Sequence, residues 1–455
     1  GMKKSRRDTL DMTQGSPAKV LLAFAVPVIL SNLFQQFYNI IDSLIVGNYL
    51  GADALAAVGS AGTITAVIVQ LASGLALGAS VVIAQYFGAG KKKEIRACMT
   101  TILAFAAAAG VLVTVFTQLL AGPILLLVKT PAEILEYSIE YLTVYFWGSA
   151  AIFLYNAENA VFIAMGDSRT PLYFLILAFF LNVAGDLFFI LVCSMGVGGS
   201  ALATTLSQAV CTVLSLTVLE RKMRRLGMDR AERWFDRTEF ARMMRIAVPA
   251  ALQQSVVSLG SVCVQTVTNS FGPAVIAGCS AANKAVNLVS TVPINWGNAL
   301  SNFVGQNMGA EKPERIGQGV KVSLLVTGVL SLVMVLVMEL MPKTLIGWFV
   351  EGEGAAEVVR VGASYLRVTG LFLVIFSVYM VMKSVFKGAG DMNWYVGLTL
   401  GSLGVRVFCA FLLAPVFGES ILWWSVAVGW CVSAVPTVLH YLGGSWKKHS
   451  LVGKL

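Results

Sequence analysis

A chain of 455 residues that is 57% hydrophobic and only 13% charged lies far from soluble domains, where about a quarter of residues are charged. Its mean hydropathy of +0.78 and recurring apolar runs of about 20 residues, the length that crosses a bilayer core, exclude a soluble enzyme. The net charge of +9 does not indicate nucleic acid, because the basic residues sit in short segments between apolar runs.

The runs predict an all-α polytopic membrane protein of twelve transmembrane helices. They centre on 18–46, 53–86, 97–128, 138–165, 171–193, 198–219, 239–270, 274–308, 318–346, 357–387, 394–416 and 420–443. With both termini cytoplasmic, 27 of the 33 lysines and arginines fall inside, Lys383 and Lys387 among them, and four fall outside (Lys129, Lys343, Arg360, Arg367). Lys284 and Arg406 remain at membrane depth. This asymmetry follows the positive-inside rule and implies a multi-pass protein of the inner (plasma) membrane with the bilayer as partner. No cleavable signal peptide is expected.

Span 1 carries Pro27 and, deep in its second half, the lone carboxylate Asp42. A carboxylate at membrane depth costs at least about 2.5 kcal/mol, so it reads as a functional site unless it satisfies backbone groups freed at a kink. Span 4 adds Asn156, Glu158 and Asn159, and span 5 adds Asn182 and Asp186, four residues apart and therefore on one helix face. Span 6 adds Thr204, with Thr205 beside it competing for the role. Asp42, Asn156, Asn182, Asp186 and Thr204 together supply two carboxylates, two amide oxygens and a hydroxyl. Such an oxygen set suits a hard cation such as Na⁺, held chiefly by Asp42, Asn182 and Asp186. A proton would need only one carboxylate beside a like-charged neighbour.

The polar stretch 220–238 divides the chain into residues 17–219 and 239–444, flanked by tails at 1–16 and 445–455. The two blocks repeat. Phe24-Ala25-Val26-Pro27 matches Ile246-Ala247-Val248-Pro249, the run from Gln85 to Lys91 matches Gln306 to Lys312, and Val161 to Asp167 matches Val385 to Asp391. Six spans per repeat is even, so the halves run parallel, as in transporters whose cargo path lies between repeats. Pro27 and Pro249 each remove a helix hydrogen bond and are the expected hinges. The match fails at one point: Asp42 falls on Val264, and neither VVSLGSVCVQTVTNSFG of span 7 nor LFLVIFSVYMVMKSVF of span 10 contains an acid.

These motifs carry a resemblance. The stretches DMTQGS, FAVPVILSNLFQQFYNIIDSLIVGNYLGADALAAVG, VVIAQYFGAG, MGDSRTPLYF and FGPAVIAG…GQNMGAEKPERI resemble the multidrug and toxic compound extrusion (MATE) family over essentially the whole length. The resemblance implies a V-shaped pair of six-helix lobes acting as a monomer. Its activity would be antiport, exporting amphipathic, chiefly cationic compounds in exchange for Na⁺ or H⁺. It also places the ion site in the N-terminal lobe, between spans 1, 4, 5 and 6. Some branches carry coupling acids in the C-terminal lobe, and this sequence departs from them.

Glu158 is a candidate for cationic cargo. Lys284 and Arg406 are candidates for substrate or gating contacts, against snorkelling or clamping of helix ends. A flippase for a lipid-linked precursor, or an exporter of one metabolite, is the alternative. No nucleophile–base set, phosphate loop or cysteine–histidine metal motif is present, so neither an enzyme nor an organic cofactor is expected.

Overall fold

The computed structural model describes residues 9–350, 352 and 354–451, and these contain helices and no strand. The basic positions Lys3, Lys4, Arg6, Arg7 and Lys454 lie outside the described residues. The helices form twelve spans: Pro17–Leu50, Ala52–Ala89, Lys92–Leu127, 132–164, 169–192, Val197–Arg225, Arg237–Asn269, Pro273–Gly309, Pro313–Leu340, 355–389, 392–417 and Ser420–Gly443. Among the described residues nine are single helices long and apolar enough to cross a membrane, and span 10 is a bent pair that qualifies as a tenth. Span 4 is divided at Trp147 and Gly148, and span 8 is too rich in asparagine for a hydropathy test.

The breaks have local causes. In span 4 the helices Ala132–Phe146 and Ser149–Ala164 leave carbonyls without helical donors. Thr205 Oγ donates to the Val144 and Tyr145 oxygens at 3.2 and 3.3 Å, while Thr114 and Ser149 donate to that of Phe146 at 2.7 and 2.8 Å. Gly148 permits the approach of span 6, because a Cβ there would meet Thr205 at 2.9 Å. At the matching place in span 10, Ala355–Leu371 and Leu373–Ala389 meet at 53°. Short π-helical segments follow at Phe188–Val192 in span 5 and Cys409–Leu413 in span 11, within one turn of Asp186 and Arg406. Wide turns of this kind are concentrated at functional positions.

The helices sort into two compact units, and the division does not follow the linear blocks. The first holds Val26–Ala251 with the described residues up to Asp11; the second holds Met12–Ala25 and the described residues from Leu252 onward. Spans 1 and 7 therefore pass from one unit to the other beside Pro27 and Pro249. The sequence boundary at 239 placed all of span 7 in the second half, and the structure assigns residues 239–251 to the first unit instead.

Side-chain contacts explain this assignment. In the first unit, Tyr86 Oη and Cys98 Sγ donate to the two carboxylate oxygens of Glu239 at 2.8 and 3.3 Å, and Arg242 pairs with Glu239 at 3.0 Å. Gly78 lies so close to span 7 that a Cβ would stand 2.2 Å from the Met243 carbonyl oxygen. In the second unit, Met12 N–H donates to Gln306 Oε1 at 3.0 Å, and Asn307 Nδ2 and Arg315 both donate to the Met12 carbonyl. The DMTQGS and GQNMGAEKPERI stretches thus answer each other.

The glycine–aspartate turns also repeat. Gly166 has φ of 84° and touches the Leu10 carbonyl, a conformation favouring glycine. The next residue, Asp167, accepts from the N–H groups of Arg169 and Thr170 and pairs with Lys222. In the second repeat Gly390 has φ of 89°, and Asp391 pairs with His440 at 2.7 Å.

Candidate functional site

The half of span 1 beyond Pro27 belongs wholly to the first unit, where Val46 is buried among Ala54 and Ala61 of span 2, Leu125 of span 3 and Phe146 of span 4. This packing sets Asp42 one helical turn back, facing span 5. Asn182, 1% exposed, and Asp186, fully buried, come from span 5. The orientation of the Asn182 amide follows from its neighbours. Its nitrogen donates to Asp42 Oδ1 at 2.9 Å and to Asp186 Oδ2 at 3.1 Å, bridging the two carboxyl groups. Its oxygen accepts from Tyr38 Oη at 3.2 Å and from the Thr204 hydroxyl and N–H at 2.9 and 3.2 Å. Asp42 and Asp186 are themselves hydrogen-bonding neighbours.

One acceptor in this group is unused. Asp186 Oδ1 and the Ser200 hydroxyl are buried neighbours, and neither makes a close hydrogen bond. An unmet carboxylate oxygen at membrane depth is a costly arrangement. A cation or a proton supplied at that oxygen would satisfy it. Below the carboxyl pair, Phe34, Phe37, Tyr38 and Phe179 form an aromatic cluster, with Phe34 edge-on to Phe179 at 5.4 Å and Tyr38 tilted against it at 5.7 Å.

Four of the five residues assigned to the oxygen set are therefore together: Asp42, Asn182, Asp186 and Thr204. Asn156 is not joined to them. Its oxygen accepts from Ser73 at 3.0 Å and its nitrogen donates to the Ile152 carbonyl at 2.9 Å, so both ends are engaged elsewhere. Thr205, the competitor of Thr204, serves the break in span 4. Tyr38 and Ser200 were missed; Tyr38 stands four residues before Asp42, on the same helix face, which is the signal that points to it.

Glu158 is fully buried beside the Ser215 hydroxyl, and neither of its oxygens makes a close hydrogen bond. Tyr155 and Asn159, on the same face of the helix, also carry a buried polar atom without one. Lys284 is exposed on span 8. Arg406 is half-buried, its Nε without a partner, in the turn before the π segment of span 11. Neither forms an ion pair among the described residues. Pro27 and Pro249 lie within continuous helices at the two crossings between units.

Two residues change the picture of the second unit. Lys383 and Lys387, counted with the inside charges although the predicted run 357–387 includes them, lie within the helix Leu373–Ala389 and are 6% and 5% exposed. Lysines near the end of an apolar run read as its boundary, although the helix continues through them to Ala389. Lys284 and Arg406 are consequently not the only cations within the spans.

The chain is similar to known proteins along its whole length. The chain is 29% identical over 446 residues to the probable multidrug resistance protein YpnP of Bacillus subtilis, covering 97% of this chain and 98% of that one. It is 23% identical over 318 residues to the FAD transporter of Shewanella oneidensis, covering 67% and 68%. A solved structure described as MATE in the bent conformation superposes with a TM-score of 0.89 at 24% identity, covering 96% and 98%. The MatE family profile matches residues 27–188 and 249–412. Twelve helices in two six-helix repeats, a profile match across both, and relatives along the full length place this chain in the MatE family of membrane transporters.

Proposed function

We propose that the protein is a secondary active antiporter that exports amphipathic compounds in exchange for Na⁺ or H⁺, coupled at Asp42 and Asp186 in the first unit. The observation that carries this reading is the Asn182 amide bridging two membrane-embedded carboxyl groups beside an unused carboxylate oxygen. In this arrangement the amide N–H groups stand where a bound cation would otherwise balance the pair. Loading with Na⁺ turns the Asn182 and Thr204 oxygens toward the ion. Loading with a proton needs only one carboxyl group, which then donates to its neighbour.

Span 1 carries this event to the second unit, since its first turns, up to Ala25 just before Pro27, belong there. The aromatic cluster around Phe179 offers apolar contact for cargo, and Glu158 suits a cationic group. The protein acts as a monomer in the plasma membrane, with both termini cytoplasmic. An organic cofactor plays no part.

The test is dye efflux from proteoliposomes under a Na⁺ gradient alone and under a pH gradient alone. Asp42→Asn is expected to reduce ion-driven efflux to the leak rate while melting as the wild type does. Wild-type efflux by that variant would refute coupling at Asp42. A second reading, export of an anionic metabolite or flipping of a lipid-linked precursor, is favoured by the buried lysines of span 10 and by the similarity to an FAD transporter.

A further inference from the structure

We propose that Lys383 and Lys387 form an anion-binding site inside the second unit, which takes the carboxylate or phosphate group of an amphipathic cargo. The proposal rests on the export reading and names the class of compound exported. The two lysines are four residues apart on Leu373–Ala389, so their ammonium groups leave the same face of the helix. Lys383 Nζ donates to Thr399 Oγ1 at 2.9 Å and lies 4.9 and 5.1 Å from the ring centres of Tyr379 and Tyr395. Lys387 Nζ donates to Asn298 Oδ1 at 2.7 Å and lies 5.7 Å from the Tyr395 ring.

An ammonium has three donors, and each of these gives one to a neutral oxygen. Among the described residues neither lysine has a carboxylate partner. Asp391, the acid that follows them on the chain, is engaged by His440. Tyrosine faces and neutral oxygens moderate a buried cation without neutralising it. Two such cations on one helix face, enclosed and uncompensated, form an arrangement that an anion completes.

Ionisable groups at membrane depth mark substrate paths more often than scaffold. Three helices contribute: span 8 through Asn298, span 10, and span 11 through Tyr395 and Thr399. The tyrosine rings provide flat surface for an aromatic body, and the ammonium groups provide its counter-charge. The lysines are nearly enclosed, so entry requires span 10 to shift; its 53° bend at Phe372 lets the half from Leu373 onward move separately.

The experiment measures binding of two xanthene dyes of similar size, anionic fluorescein and cationic rhodamine 6G, to purified full-length protein in detergent by fluorescence anisotropy. Wild type is expected to bind fluorescein. The variant K383M/K387M should bind it about 10- to 100-fold more weakly, the scale of a lost charge-assisted hydrogen bond, and rhodamine 6G no worse. The charge-keeping K383R/K387R should retain fluorescein binding. Replacing uncompensated buried charges with apolar side chains of similar length should leave the melting temperature equal or higher.

A merely structural role predicts a lower melting temperature with unchanged dye preference, and that outcome overturns the proposal. So does absence of fluorescein binding to wild type, or equal binding to K383M/K387M. Efflux is measured separately. Lysine-dependent binding without ion-driven efflux would refute the antiporter reading and leave the anion site standing, whereas efflux of rhodamine 6G alone would do the reverse.

Discussion

Replacing Asn182 by leucine keeps nearly the same volume and removes every polar contact of the bridge. Two charge-assisted N–H···O bonds are lost, at 2.9 Å to Asp42 and 3.1 Å to Asp186, each worth about 1.5–3 kcal/mol. The Tyr38 and Thr204 contacts at 3.2 and 2.9 Å are neutral and worth about 1 kcal/mol each. The Thr204 hydroxyl keeps the Ser200 carbonyl at 3.3 Å as an alternative acceptor, so its loss counts for little. The two carboxyl groups can also recover part of the deficit by sharing a proton.

A net cost of about 3 kcal/mol remains, which is about a hundredfold in an equilibrium constant. The variant is expected to insert and fold, to melt at lower temperature, and to show ion-driven dye efflux reduced about a hundredfold. Detergent melting and proteoliposome efflux check the two parts independently. Wild-type efflux together with wild-type melting in Asn182→Leu would show that the amide does not bridge the carboxyl pair, and would remove the basis for coupling there.

Two other perturbations test how the first unit is assembled. Gly78→Ala places a Cβ 2.2 Å from the Met243 carbonyl and 2.9 Å from the Ala247 side chain, so span 7 must back away at a cost of about 3 kcal/mol. Gly59→Ala, in the same helix with nothing within 4 Å, should instead stabilise by about 0.5–1 kcal/mol; melting curves that rank the two the other way would contradict the packing. Asp167→Ala removes the acceptor for the Arg169 and Thr170 N–H groups and the carboxylate facing Lys222. Loss of a cap and of one side of a largely buried ion pair predicts about 3–4 kcal/mol of destabilisation, whereas Asp167→Asn, which keeps a capping oxygen, should lose less on the same melting assay.

Much of the candidate site could be read from the chain alone. Asp42 stands out because nothing in a bilayer compensates a carboxylate, and Asn182 and Asp186 share a face at a spacing of four. The repeat places the matched prolines at 27 and 249 and the glycine–aspartate pairs at 166–167 and 390–391, because helix period, proline chemistry and positive φ are local properties. The fate of Asn156 was not local. It sits at helix depth with a side chain of the right type, yet Ser73, 83 residues away, claims its oxygen, and only tertiary packing brings that hydroxyl close.

The same limit explains the two largest differences. A hydropathy run does not record which neighbours a continuous helix touches, so spans 1 and 7 read as members of their own blocks until Gln306 and Glu239 draw the residues before Val26 and Leu252 into the opposite units. A lysine late in an apolar run is indistinguishable from a loop residue by charge alone; Tyr379, Tyr395, Thr399 and Asn298, contributed by three spans, are what enclose Lys383 and Lys387. Sequence alone determined the span count, the repeat and the membrane carboxylates. Tertiary structure decided which polar groups meet, because burial and partnership depend on contacts between segments far apart in the chain.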